Sequence, residues 1–122
     1  MWFRSDDTAP RARGEAIEKV AEKYLRRQGL RPVTRNYQIR GGEIDLIMYD
    51  KDVLVFVEVR YRRSDTHGSG AETVTYAKQQ KLRRAARHYL VSQFGNAEPF
   101  CRFDVISGSG EPVRFDWIKN AF

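Results

Sequence analysis

The chain has 122 residues, 41% hydrophobic and 31% charged, which suits one compact domain with a modest core and leaves too little apolar material for a second. Its 22 Lys and Arg against 16 Asp and Glu give a formal net charge of +6 and a pI near 9.7, a balance that attracts polyanions such as nucleic acid and equally keeps a small protein soluble. Cys101 is the only cysteine, so no intrachain disulfide can form; with no apolar run near the ~20 residues of a membrane span and no signal-like stretch in Met1 to Arg13, a cytoplasmic protein without a membrane segment is expected.

One domain over 1–122 is therefore expected, with residues 1–12 or so as a flexible N-terminal segment. From about Pro10 to Gln28, Ile17, Val20, Ala21, Tyr24 and Leu25 recur at helical spacing, and Gly29 followed by Leu30 reads as the C-terminal cap. Val33 to Ile39 is β-tolerant, and Gly41-Gly42 turns into a second strand, Glu43 to Tyr49. After Asp50-Lys51-Asp52 comes Val53 to Val57, a continuous β-branched run that reads as a central strand covered on both faces, continuing through Glu58 to Tyr61. His67-Gly68-Ser69-Gly70 reads as a loop. A second helix, Glu72 to about Phe94, turns Leu82, Ala85, Ala86, Tyr89 and Leu90 inward and Arg83, Arg84 and Arg87 outward. Strands at about Cys101–Ser107 and Val113–Ile118 close the chain, joined by Gly108-Ser109-Gly110. A helix between a central strand and a later one is the crossover that parallel strands need. The expected fold is thus α/β, in the order α-β-β-β-α-β-β, with a central mixed sheet flanked by helices.

Alternation along a strand puts Glu43 and Asp45 on one face, and Glu58 and Arg60 on one face. A two-residue loop at Lys51-Asp52 sets a register with Asp45 opposite Glu58 and Glu43 opposite Arg60. The second pair is accounted for by a cross-strand ion pair. The first is not, because like charges directly opposed destabilise a strand pair unless a shared proton, a nearby cation or a bound metal relieves them. Two carboxylates with a main-chain carbonyl and waters form a hard oxygen site suited to Mg²⁺ or Mn²⁺. Such an ion polarises a phosphoryl oxygen and lowers the pKa of bound water.

The runs Gly42-Glu43-Ile44-Asp45-Leu46-Ile47 and Leu54-Val55-Phe56-Val57-Glu58-Val59-Arg60, with Gly14-Glu15, Tyr24-Leu25, Gly29 and Arg35-Asn36 before them, resemble the YraN-type family of bacterial endonuclease-like proteins. That family is similar to archaeal Holliday-junction resolvases and type II restriction enzymes. The resemblance implies a restriction-endonuclease-like fold with an Asp…Glu-x-Lys active site. It assigns Asp45 and Glu58 as metal ligands with the Val59 carbonyl as a third, and it places a first-helix carboxylate, Glu15, at the site. The helical wheel puts Glu15 with Glu18 and Glu22, away from the Ile17/Val20/Tyr24 stripe, so the two readings of Glu15 differ. Arg60 stands where the pattern has Lys; a guanidinium stays protonated and cannot act as a general base, though it can orient a phosphate and stabilise developing charge.

Lys78 projects with Leu82, Ala85 and Tyr89 toward the sheet, where it either snorkels to water or reaches back to the carboxylates. Arg62 and Arg63, followed by Lys81 and Arg84 on the second helix, are candidates to track a nucleic-acid backbone beside the site. The expected activity is Mg²⁺-dependent hydrolysis of DNA, branched or damaged structures included. The alternative is a nuclease-fold module that binds nucleic acid without cutting it. A homodimer through an exposed Trp117-Ile118 to Phe122 end is a further expectation.

Overall fold

A computed structural model describes residues 10–62 and 74–122, with side chains from Ala16 onward. Its elements are α1 (Pro10–Arg27), β1 (Arg31–Ile39), β2 (Gly42–Asp50), β3 (Val53–Arg62), α2 (Tyr76–Phe94), β4 (Cys101–Ser109) and β5 (Arg114–Ile118). The strands form a single sheet in the order β1-β2-β3-β4-β5. β3 and β4 run parallel and the other neighbours antiparallel, so α2 is the crossover that the parallel pair requires. The expected α/β class, element order and mixed sheet are all present. The flexible-segment expectation falls on residues 1–9, outside the described residues, except at 10–12, where the backbone is helical.

α1 ends as its sequence dictates. Gly29 takes a left-handed φ of 103°, its N–H donates to the Arg26 carbonyl and the Leu30 N–H to the Leu25 carbonyl, and Leu25 and Leu30 are both buried, which is a Schellman cap with its hydrophobic contact. α2 starts at Thr75, whose Oγ1 accepts the Lys78 N–H at 3.1 Å, and Gly95 ends it. Glu72 lies outside the described residues. β1 is an edge strand, which is why Pro32 is tolerated in it. β4 continues to Ser109 rather than ending at Ser107, because Gly108 fits inside the sheet where a Cβ would meet Val113 at 2.9 Å and Ile17 at 3.2 Å. The turn is displaced accordingly to the residues between Ser109 and Arg114.

β3 is buried on both faces. Leu54 and Phe56 pack with Leu82, Ala85, Ala86 and Tyr89 of α2, while Val55 and Val57 pack with Ala21 and Leu25 of α1. β2 does not alternate so simply. Ile47 faces α2 and Leu46 and Met48 face α1, yet Ile44, two residues before Leu46, faces α2. The strand therefore changes face at Asp45. Across from it on β1, between the pairs Arg35↔Leu46 and Tyr37↔Ile44, Asn36 takes a φ of 53°, a left-handed conformation that Asn tolerates. The C-terminal segment corrects an expectation: Trp117 and Phe122 are half-buried, Trp117 Nε1 donates to Asp104, and the Phe122 ring stacks on Phe103. These contacts use the apolar surface that would have formed an exposed patch.

Candidate metal centre

The β2–β3 register has Asp50 opposite Val53 and Leu46 opposite Val57, as the Lys51-Asp52 loop predicts. Beyond Leu46 the ladder stops, whereas β3 goes on pairing with β4 as far as Arg62↔Ser109. Asp45 occupies the opening. Its Oδ2 accepts the Val59 N–H at 2.8 Å, standing in for the backbone carbonyl that a continuing ladder would supply. The face change at Asp45 and the end of the ladder are thus one feature, and it swings a carboxylate into the plane of the sheet.

Glu58, on β3, is buried and hydrogen-bonded to Asp45. Lys78 Nζ, from the first turn of α2, and Arg60 Nη1 each lie 3.4 Å from Glu58 Oε2. Arg60 therefore pairs with Glu58 on its own strand, and the expected Glu43–Arg60 cross-strand pair is not formed, because the ladder that would align those residues has ended. Glu43 is exposed instead, on the wall of a cleft of about 330 Å³ with Gln38, Gly41, Gly42, Lys78 and Lys81.

A third carboxylate joins the cluster. Glu18 is buried on α1, hydrogen-bonded to Asp45. The helical wheel sets it apart from the Ile17/Val20/Tyr24 stripe, but the buried face of α1 is Ile17, Glu18, Ala21 and Leu25. Its spacing to Ala21 and Leu25 was the available signal. The side chain of Glu15, one turn earlier, lies outside the described residues.

Burial and crowding set the protonation. Glu58 is pushed up to about 8, first by loss of water and then by the charge of Asp45, with Lys78 and Arg60 opposing. Asp45 is pushed up to about 6, again mainly by burial and further by Glu18, while the Val59 N–H and the bond from Glu58 oppose. Both shifts favour a single proton shared between the two carboxyls, with Glu58 as the donor to Asp45. The like-charge repulsion expected from the sequence is relieved here by a shared proton and two cations.

Among the described residues, no group of three or more His, Cys, Asp or Glu is arranged to hold a metal ion. Glu18 and Glu58 each hydrogen-bond to Asp45, so the three acids are joined through it. That donor set still fits Mg²⁺ or Mn²⁺, which bind through one or two carboxylates with the substrate's phosphate and waters.

The remaining site residues lie further out. Lys81 and Arg84 are exposed on α2. The Gly41-Gly42 turn packs so closely on this helix that a Cβ on Gly42 would come within 2.7 Å of the Lys81 carbonyl, and one on Gly41 within 3.5 Å of Arg84 Nη1. Arg62 is half-buried at the end of β3. Arg63 and the Gly68-Ser69-Gly70 loop lie outside the described residues.

The description "Uncharacterised protein family UPF0102" matches residues 17–107, the span from the buried turn of α1 through the carboxylate strands to β4. The chain belongs to the UPF0102 family. It is 51% identical to a UPF0102 protein of Aeromonas hydrophila subsp. hydrophila, over 100% of this chain and 92% of the relative. It is also 47% identical to one of Xylella fastidiosa (strain M12), over 89% of this chain and 90% of the relative. A Klebsiella pneumoniae UPF0102 protein is 51% identical over 89% of this chain and 84% of its own length. Among the described residues of this UPF0102 protein, no helix is long and apolar enough to cross a membrane.

Proposed function

We propose that this UPF0102 protein is a divalent-metal-dependent endonuclease that hydrolyses phosphodiester bonds of DNA, built on a restriction-endonuclease-like core. The observation that carries the reading is the break at Asp45. A protein that only had to complete its sheet would continue the ladder with apolar residues, whereas this one sets two touching carboxylates in the gap, Glu58 buried and Asp45 half-buried, and raises both pKa values to do so. In this reading Asp45, Glu58 and the Val59 carbonyl hold Mg²⁺ or Mn²⁺. The N–H and C=O of one strand residue point to the same edge, so the Val59 carbonyl faces the same opening as the N–H that Asp45 accepts.

A bound ion would polarise a phosphoryl oxygen and acidify a bound water. The side chains around it do the positioning. Lys78 and Arg60, both on Glu58 and both partly exposed, present cations where a phosphate would approach. Arg60 contributes charge and hydrogen-bond donors but no base. Val59, through its N–H, fixes the Asp45 carboxylate. Lys81 lies beside Lys78 on the cleft wall and extends the cationic lip.

Incubation of the purified protein with duplex, single-stranded and four-way-junction DNA in Mg²⁺ or Mn²⁺ tests this. Cleavage that disappears in Asp45→Ala and Glu58→Ala while binding persists is the expected result. Tight binding without cleavage in either metal sinks the hydrolase and leaves a binding module, the reading that the Arg60 and Lys78 ion pairs to Glu58 would then favour. No affinity for DNA sinks both.

A further inference from the structure

On the outward face of α2, Gln80, Arg83, Arg84 and Arg87 surround a cavity of about 230 Å³. Arg83, Arg84 and Arg87 come three, four and seven residues after Gln80, the spacing that brings side chains together on a helix face. Among the described residues, no carboxylate forms an ion pair with any of the three arginines, although Arg35, Arg60 and Arg102 all have acidic partners. Arg83 is held in place: its guanidinium lies 5.4 Å from the ring centres of both Phe103 and Phe122, two cation–π contacts that use none of its N–H groups on an acceptor. Arg84 reaches the Gly41 turn, and that turn also walls the cleft containing Lys78 and Lys81. Cations therefore follow one another from Lys78 and Lys81 in the cleft, where Glu43 is the one carboxylate on the wall, over the helix to Arg87.

We infer that the Gln80/Arg83/Arg84/Arg87 cavity is a second phosphate-binding site, which grips the nucleic-acid backbone away from the carboxylate centre. The inference rests on the proposed activity and deepens it. The three guanidiniums only donate, and a forked guanidinium matches two oxygens of one phosphate, so the site takes a phosphodiester, a contact that carries no base information. Lys78 and Arg87 are nine residues apart on one helix, about 13 Å at 1.5 Å per residue. With α2 laid along the duplex axis, at roughly 3.4 Å of rise per base pair, that distance spans about four base pairs. The grip is sequence-independent and sets a minimum substrate length of that order.

The test is fluorescence anisotropy of a labelled DNA duplex in metal-free buffer across a salt series. It compares the wild type, Arg84→Gln/Arg87→Gln, and the charge-matched control Arg26→Gln/Arg27→Gln at the exposed end of α1. With about 0.9 counterions released per phosphate contact, the slope of log affinity against log salt should fall by about two in the α2 variant. Affinity near 0.1 M salt should drop about tenfold, with the control unchanged. An α2 variant with the wild-type slope, a control that loses as much, or displacement by polyaspartate as effective as by DNA of equal charge overturns the inference, as does a wild type that does not bind. Cleavage by the wild type, measured in parallel, separates the two ideas. Cleavage with an unaffected α2 variant removes the second site alone, and salt-sensitive binding through α2 with no cleavage removes the hydrolase alone.

Discussion

Glu58→Gln exchanges a carboxyl group that the fold prefers protonated for a neutral group of the same shape that still donates to Asp45. The wild-type carboxyl is lifted from an ordinary 4.5 to about 8, mainly by burial. A folded-state pKa above the unfolded one means that the native state binds the proton more tightly. Its stabilising effect is complete below about pH 4.5 and is lost as pH rises toward 8. At ~1.4 kcal/mol per pKa unit, ionising Glu58 in the fold by pH 8 costs about 3–5 kcal/mol relative to ionising it in the unfolded chain. Asp45 loses stability over its own range, to about 6, in wild type and variant alike, so the difference between them isolates Glu58. Urea denaturation in EDTA should show the variant more stable by about 2–4 kcal/mol at pH 8 and nearly equal to wild type at pH 5. Excess Mg²⁺ should stabilise the wild type at pH 8 more than the variant, which has lost a ligand charge. A variant no more stable than wild type at pH 8, or a gap independent of pH, would refute the account of this carboxyl pair.

Other substitutions probe the parts that hold the centre in place. Asp104 is fully buried and accepts from the Arg102 guanidinium, Trp117 Nε1 and the Asn120 N–H; Asp104→Ala strands those donors and should cost about 3–5 kcal/mol by urea denaturation. Gly42→Val drives a side chain into the Lys81 carbonyl and should cost about 1–3 kcal/mol while weakening cleavage through displaced Lys78; an unchanged urea midpoint would contradict the close hairpin–helix packing. If Arg60 only stabilises charge, Arg60→Lys should keep or raise the cleavage rate under the same Mg²⁺ conditions. A loss of more than about tenfold would mean that the forked guanidinium makes contacts a Lys cannot.

The parts of the fold that were legible from sequence are those set by local chemistry. Gly29-Leu30 closes α1, the Lys51-Asp52 loop fixes the β2–β3 register, and the apolar run Val53 to Val57 marks the doubly covered strand. The pairing of Asp45 with Glu58 followed from that register, although the ladder stops just short of them. What escaped was the face change at Asp45, because it depends on a left-handed Asn36 in the neighbouring strand and on β3 leaving β2 to follow β4. Glu18 escaped because Ile17, Val20 and Tyr24 drew the helix stripe to one side, when the arc facing the sheet runs through Ile17, Glu18, Ala21 and Leu25. Asp104 is a similar case: its partners come from β4, the end of β5 and the chain beyond it, and only its place inside the apolar strand Phe103-Asp104-Val105-Ile106 hinted at burial.

The metal centre itself is tested most directly by a crystal of the full chain soaked in Mn²⁺ at about pH 8, with data collected for anomalous scattering. The account predicts a peak between the Asp45 and Glu58 carboxylates, within direct coordination distance of an oxygen of each, with Glu58 drawn off Lys78 and Arg60. A map with no peak there at saturating Mn²⁺, with Glu58 still paired to both cations, would contradict it.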